Sequence, residues 1–317
     1  MKKLLIAGIA ALGLVAGSAF SAMANWAPSG PMKMMIAFKA GGGADTQARM
    51  IAEELEARHG WKIIPENVTG KGGANLARAL KEEANDGTAI GMAVTETYGY
   101  NMVSAGAKAG YTQADFTAIT TTAGFQMGVV ALTSKGWNSW DDVVAAAKGG
   151  QDIRFGVMSP KLADLAYLLG QHTGVDLNIV SVKGGKGVMN GLNAGDLDVG
   201  WGAGIQTKAV LAGDMVNLVS GLSSRLTASP DAPTLAEMGI DFNADGYFML
   251  SAPAGLSDEA RDAIAAAVAE IVTDKSTKAG GFIAKGFGGA VVISGAELDA
   301  AMAADAEAAG ALMAATE

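Results

Sequence analysis

Residues 31–49 read PMKMMIAFKAGGGADTQAR. Within them Met34-Met35-Ile36-Ala37-Phe38 is apolar without interruption, so Met32 to Phe38 reads as a buried strand. Three glycines end the run, and Ala48, Ile51, Ala52 and Leu55 then recur at helical spacing. Lys62 to Val68 is a second strand, followed by a second Gly-rich turn and a helix carrying Leu76 and Leu80. Asn85-Asp86-Gly87 is a turn, and Ala89 to Val94 a third strand. Strand, glycine turn, helix, strand is the βαβ rhythm of a parallel sheet covered by helices.

The rhythm restarts further along. Strands are expected at Met127 to Thr133, Ile153 to Val157, Leu177 to Val182, Leu197 to Trp201 and Val216 to Val219. Ser139 and Asp142 form a capping pair for a helix through Lys148, and Leu162, Leu165 and Leu169 mark the next helix. A third glycine turn then leads into a helix bearing Val188 and Leu192. Tyr247 to Ser251 reads as a returning strand, and Ser257 caps a long Ala-rich helix with Asp258 and Glu259 in its first turn. Val291 to Ile293 reads as a last strand before a final Ala-rich helix. The chain is therefore α/β, in two halves of comparable size.

Composition narrows the function. The 317 residues are 50% hydrophobic and 17% charged, with 44 glycines, which excludes disorder, collagen and coiled coil. A formal net charge of −9 offers no basic stripe for phosphates, so a nucleic-acid partner is not expected. Without cysteine there are no disulfides, thiolate nucleophiles or Cys-ligated metals. Lys2 and Lys3, the uncharged run Leu4 to Ala16, and Ala22-Met23-Ala24 have the order of a secretory signal peptide. Residues 1–24 are read as that leader, with cleavage after Ala24 and a soluble, monomeric periplasmic protein beginning at Asn25.

The three glycine turns each join a strand to a helix: Ala40-Gly41-Gly42-Gly43-Ala44-Asp45-Thr46, Thr69-Gly70-Lys71-Gly72-Gly73-Ala74-Asn75 and Lys183-Gly184-Gly185-Lys186-Gly187. A helix start has unpaired N–H groups and partial positive charge, and glycine lets a ligand approach that bare backbone. Such turns seat carboxylates as readily as phosphates. Gly42 and Gly43 are expected to combine close approach with positive φ. Asp45 is expected either to cap its helix or to bind an ammonium or hydroxyl of a ligand.

Nucleotide signatures are missing. The second turn ends in Asn75 where the dinucleotide fingerprint needs Gly or Ala, and neither Gly70-Lys71 nor Gly185-Lys186 is followed by Ser or Thr. No cofactor is expected. His59 and His172 each precede a helix-ending glycine and read as C-terminal dipole partners rather than metal ligands or bases. Neither HExxH nor GxSxG occurs, so no catalytic residue is assigned. Trp137, Trp140 and Trp201 read as packing residues.

Pro31 to Arg49 resembles the opening motif of the solute receptors of tripartite tricarboxylate transporters, the Bug/TctC-like periplasmic binding proteins. Glu66-Asn67-Val68-Thr69-Gly70-Lys71-Gly72-Gly73 is similar to their second motif, and Asp86-Gly87-Thr88 to their Asp-Gly turn. Val182-Lys183-Gly184, Gly195-Asp196-Leu197-Asp198 and Ala232-Pro233-Thr234-Leu235-Ala236-Glu237-Met238-Gly239 resemble later segments in the same order. The resemblance implies a two-lobed, type II-like periplasmic binding protein, each lobe a mostly parallel sheet flanked by helices. Lobe one would be 25–123 plus 246–317, and lobe two 124–245.

It also implies a small organic anion, commonly a di- or tricarboxylate, held in the cleft and delivered to the membrane permease subunits. Lobe one would contribute Phe38 and the first two turns from Ala40 to Thr46 and from Thr69 to Ala74. Thr95 and Ser159 stand at matching strand-to-loop positions, and lobe two would add Lys183, Gly184 and Gly185. Lys71, Lys183 and Lys186 are candidate cationic contacts. Met158-Ser159-Pro160-Lys161 departs from the Gly-rich turn usual there, and so does Asn67-Val68-Thr69 from the Asn-Arg/Lys-Pro of many members. Two other readings stay open: an exported enzyme acting on small acids, and a receptor feeding a signalling protein.

Overall fold

The computed structural model describes residues 26–317. The expected leader and its cleavage site lie outside the described residues. The chain starts with β1 (Met32–Ile36), α1 (Gly43–His59), β2 (Ile63–Asn67), α2 (Ala74–Leu80) and β3 (Ala89–Val94). Two short helices, α3 (Thr95–Tyr98) and α4 (Tyr100–Ala105), lead to β4 (Phe116–Gly124). Only Phe125 and Gln126 separate β4 from β5 (Met127–Leu132), which opens a second sheet. Then follow α5 (Trp140–Lys148), β6 (Ile153–Val157), α6 (Pro160–Thr173), β7 (Leu177–Ser181), α7 (Gly184–Ala194) and β8 (Val199–Ala203). After α8 (Thr207–Leu211) and β9 (Met215–Ser220) the chain returns through β10 (Tyr247–Pro253) and ends in α9 (Asp258–Thr273), α10 (Lys278–Phe287) and α11 (Gly295–Ala314).

Both sheets are built to one plan. Their strand orders are β2-β1-β3-β10-β4 and β7-β6-β8-β5-β9. In each, three strands pair in parallel, and the strand arriving from the other sheet inserts antiparallel in fourth place. The strands that cross between lobes, β5 and β10, thus sit inside each sheet rather than at its edge. The mostly parallel α/β architecture expected from the sequence is what forms.

Local chemistry explains the positions. β3 (AIGMAV) is buried along its whole length, as a central strand between helix layers must be. β2 alternates buried and exposed residues and carries Pro65, which an edge strand tolerates. A Cβ on Gly91 would lie 2.7 Å from Leu80 and 3.0 Å from Leu76, so the bare strand lets α2 pack close. Ile51 and Leu55 of α1 and Ile264, Val268 and Ile271 of α9 are fully buried, each contributing about 1.5–3 kcal/mol.

The Ser139/Asp142 capping box forms, Ser257 Oγ accepts from Ala260 N at 3.2 Å, and Gly60 and Gly174 close their helices in the left-handed region after His59 and His172. Two elements differ from the sequence reading. Val291 to Ile293 is not a strand: it lies along β4 through isolated bridges, with Gly288, Gly289 and Gly295 at positive φ around it. β4 has no apolar run to announce it, because its buried centre is Thr120-Thr121-Thr122. Two of those hydroxyls are satisfied by donation to Val291 O (2.6 Å) and Gln47 Oε1 (2.7 Å).

The second lobe holds a buried ion cluster. Asp198 accepts from Lys135 Nζ (2.5 Å), Arg154 Nε (2.9 Å) and Arg154 N (3.1 Å). Burial pushes its carboxyl up, but the hydrogen bonds from Arg154 and Lys135 outweigh it and hold the pKa at about 2, against 3.8. A depressed carboxylate contributes stability that is full above the unfolded pKa and is lost as pH falls through the folded one. Asp198→Asn should therefore cost about 2 kcal/mol at pH 7, with the gap to wild type closing between pH 4 and 2. Urea unfolding across that range checks it, and a pH-independent gap would contradict it.

Candidate anion-binding cleft

A cleft with about 610 Å³ of space outside protein atoms, part of it open to solvent, lies between the two sheets. Its polar parts come from the βα turns. α1 starts at Gly43 with Gly42 as N-cap, and no side chain caps its first amides. Across the cleft α7 starts at Gly184 after Lys183, also without a side-chain cap. The two turns approach each other closely. A Cβ on Gly184 would sit 3.5 Å from Phe38, and one on Gly42 would sit 3.9 Å from Lys186 Cβ. Lys39, Lys183 and Lys186 all line the space between them.

Asp45 does not reach that space. It is 3% exposed, and its carboxylate lies beneath the turn, accepting from Gly41 N (2.9 Å), Arg49 Nε (2.9 Å) and Asn67 Nδ2 (2.8 Å). Asn67 also donates to Phe38 O and accepts from Arg49 Nη2, both at 2.9 Å. The carboxylate is thus committed to holding the Gly41–Gly43 turn against β2. Positive φ in this turn belongs to Gly41 (φ 76), not to Gly42 (φ −81) or Gly43, which corrects the expectation for those two glycines. Gly43 is bare for contact: a Cβ would lie 2.9 Å from the Phe287 ring and 3.3 Å from Ile205.

The second turn is wound left-handed over four residues, Gly70 to Gly73, with φ of 124, 50, 60 and 96. Lys71 is its one residue with a side chain. The Gly72 carbonyl accepts from Thr97 Oγ1 (2.9 Å) and Asn101 Nδ2 (3.0 Å), which anchors the turn to α3 and α4.

Residues 47–282 match the family model described as "Tripartite tricarboxylate transporter family receptor". The chain belongs to that receptor family. Among curated proteins, the receptor is 26% identical over 265 residues to protein BugT of Bordetella pertussis (strain Tohama I), covering 76% of each chain. It is 27% identical over 255 residues to a UPF0065 protein encoded in the gbd 5' region of Cupriavidus necator, covering 78% of this chain and 76% of that one. Among solved structures it resembles MatC of Rhodopseudomonas palustris with bound malate, at TM-score 0.75 and 22% identity, covering 90% and 99% of the two chains. It likewise resembles the periplasmic binding protein BugD, at TM-score 0.76 and 22% identity, covering 90% and 96%. These likenesses establish the two-lobed periplasmic binding protein fold.

Of the residues expected from sequence, the receptor gathers Phe38, Gly42, Gly43, Ala44, Gly72, Ser159, Lys183, Gly184 and Gly185 around the central cleft. Thr69, Gly70, Lys71 and Ala74 line the two adjoining grooves that share Gly72, Met158 and Lys183 with it. Ala40, Gly41, Asp45, Thr46, Gly73 and Thr95 line none of these spaces. Thr95 is buried and accepts from Tyr247 N at 3.2 Å. Ser159 also caps α6 through Leu162 N (3.3 Å). Trp201, Trp137 and Trp140 are buried packing residues, Trp201 donating to Leu162 O at 2.9 Å.

The cleft has a floor that the turns did not announce. Phe125, Met127, Phe248 and Ile205 come from the crossing strands and the loop after β8, and Met158 and Leu162 from the start of α6. Glu96, the second residue of α3, also lines it. Burial pushes the Glu96 carboxyl above its ordinary range, opposed by the nearby Lys161 ammonium and the Ser159 hydroxyl. Behind this floor the lobes touch directly. Lys161 of α6 pairs with Asp305 of α11 at 3.0 Å, and Tyr100 of α4 donates to Asp164 of α6.

Proposed function

We propose that this receptor captures a small organic anion bearing one or more carboxylates in the cleft and delivers it to the membrane permease of a tripartite transporter. One observation carries the reading: α1 and α7, from opposite lobes, bring side-chain-uncapped N-termini to the same space, beside three lysines. Helix N-termini favour anions through unpaired N–H groups and the helix dipole, and the local field, not the net charge of −9, governs the site. The apolar floor excludes water and strengthens those interactions. Ligands in related structures, malate in MatC and adipate in another R. palustris protein, are of this class.

The lobes are residues 25–123 with 246–317, and 124–245, moving about the two crossing segments at 124–126 and near 246. Closure brings Gly184 and Lys186 against Phe38 and Gly42. The candidate ligand contacts are the amides of Gly43, Ala44, Gly184 and Gly185 with Lys183 and Lys186, while the Gly42 amide donates to Lys39 O and Asp45 supports the first turn. The protein acts as a monomer and as a binder, a reading supported by its membership of a family of solute receptors. The chain is exported and cleaved after Ala24. N-terminal sequencing of exported protein should begin at Asn25, and retention of Met1 would contradict this.

A thermal-shift screen of residues 25–317 against organic acids tests the function. A ligand at 100 times its Kd adds about 2.7 kcal/mol and should raise the melting point by about 5 °C. Shifts confined to non-acidic solutes, or none, would overturn the proposal.

A further inference from the structure

Glu96 is an acid in a cleft built to attract acids. Its side chain is 5% exposed, it lines the cleft, and its Oε1 has no hydrogen-bond partner. A buried acceptor left unpaired costs its desolvation penalty, more than an ordinary hydrogen bond contributes. The groups packed around it do not complete it. On α6, the Ser159 hydroxyl and the Lys161 ammonium face the carboxyl, Ser159 Oγ also accepting from Leu162 N and Lys161 pairing with Asp305 of α11 at 3.0 Å, but neither is bonded to Oε1. On α4, the Asn101 amide stands beside the carboxyl, its Nδ2 donating to Gly72 O at 3.0 Å, and its own Oδ1 is a second unpartnered acceptor. Asp45, the other acid near the first turn, is fully committed beneath it.

We propose that Glu96 is the specificity-determining residue of the cleft, its carboxylate receiving a hydrogen-bond donor that the ligand carries beside its carboxylate. The substrate class is then the 2-amino or 2-hydroxy acids rather than plain carboxylic acids. The inference rests on the carboxylate reading above and refines it. A plain dicarboxylate leaves Oε1 without a donor, whereas an ammonium or hydroxyl at C2 supplies it. A site built to bond a ligand OH or NH discriminates strongly against the analogue without it, because its own polar group is then left unpaired.

Calorimetry at pH 7 with succinate, malate and aspartate, and with glutarate, 2-hydroxyglutarate and glutamate, decides the matter for wild type and Glu96→Gln. Gln keeps the shape, and melting curves of both proteins confirm equal folding. In wild type at least one 2-substituted acid should bind ten or more times tighter than its parent. In Glu96→Gln that preference should fall below threefold. Equal binding of parent and substituted acids by wild type would overturn the assignment. So would a preference that survives in Glu96→Gln, or tight succinate binding with proton uptake, which would make Glu96 a protonated donor. Failure of all six to bind overturns the assignment as well. If the wider acid screen is also blank, the carboxylate reading falls with it; if that screen shows hits, only the Glu96 assignment falls.

Discussion

Gly43→Val is expected to weaken organic-acid binding by up to about 100-fold. The Cβ alone would lie 2.9 Å from the Phe287 ring and 3.3 Å from Ile205, and valine adds two methyl groups beyond it. Overpacking of this kind costs about 1–3 kcal/mol, and 3 kcal/mol is roughly a hundredfold in an equilibrium constant. Phe287 belongs to α10 on the first lobe, and Ile205 follows β8 on the second. The substitution therefore disturbs packing within one lobe and contact between the two, at the helix start assigned to the anion. Gly41→Ala provides the contrast. A Cβ there meets nothing within 4 Å, but the residue sits at φ 76, so it should cost about 1 kcal/mol of stability through strain and leave affinity nearly unchanged. Calorimetry beside unliganded melting curves checks both. A Gly43→Val protein with normal melting and unchanged affinity would remove the first turn from the site.

Asp45→Ala is expected to lower the unfolding free energy by about 3 kcal/mol and to weaken binding as a consequence. The change removes the acceptor of three hydrogen bonds: Gly41 N loses its partner, while Asn67 Nδ2 keeps only Phe38 O and Arg49 keeps only Asn67 Oδ1. Arg49 is 41% exposed and can turn to water, which keeps the cost near the lower end for a broken buried ion pair. Asp45→Asn should lose roughly half as much, since it keeps one oxygen acceptor. The direction of coupling is diagnostic. A supporting residue loses stability and affinity together, whereas a ligand contact would lose affinity with the melting curve intact. Chemical denaturation and calorimetry on the same preparations separate the two outcomes.

The fold was readable where sequence periodicity and position agree. Met32 to Val94 carries apolar runs, glycine punctuation and helical spacing in the order that the first sheet adopts, and the caps at Ser139 and Ser257 form as read. β4 escaped because a strand whose centre is three threonines shows no apolar run, although tertiary hydrogen bonds let it bury. In the site, the turns at Gly42–Ala44 and Lys183–Gly185 were visible as glycine-rich helix starts, a property of local sequence, while the lack of a side-chain cap on either was not. Phe125, Phe248 and Ile205 were not, because an aromatic or aliphatic residue on a crossing segment or in a loop reads the same whether it faces core or cleft. Glu96 did leave a signal: a lone acid two residues after the fully apolar strand Ala89–Val94. Asp45 drew attention instead because it lies in the glycine motif. Only the hydrogen bonds from Arg49 and Asn67 reveal that its charge is already spoken for.

The central claim is that two helix starts from opposite lobes share one anion. A crystal structure of residues 25–317 with the acid giving the largest thermal shift tests this most directly. A carboxylate is expected within about 3 Å of amide nitrogens at Gly43 or Ala44 of α1 and at Gly184 or Gly185 of α7, directly or through one water. A ligand bound outside the cleft, or held in it by side chains with neither helix start in contact, would contradict it.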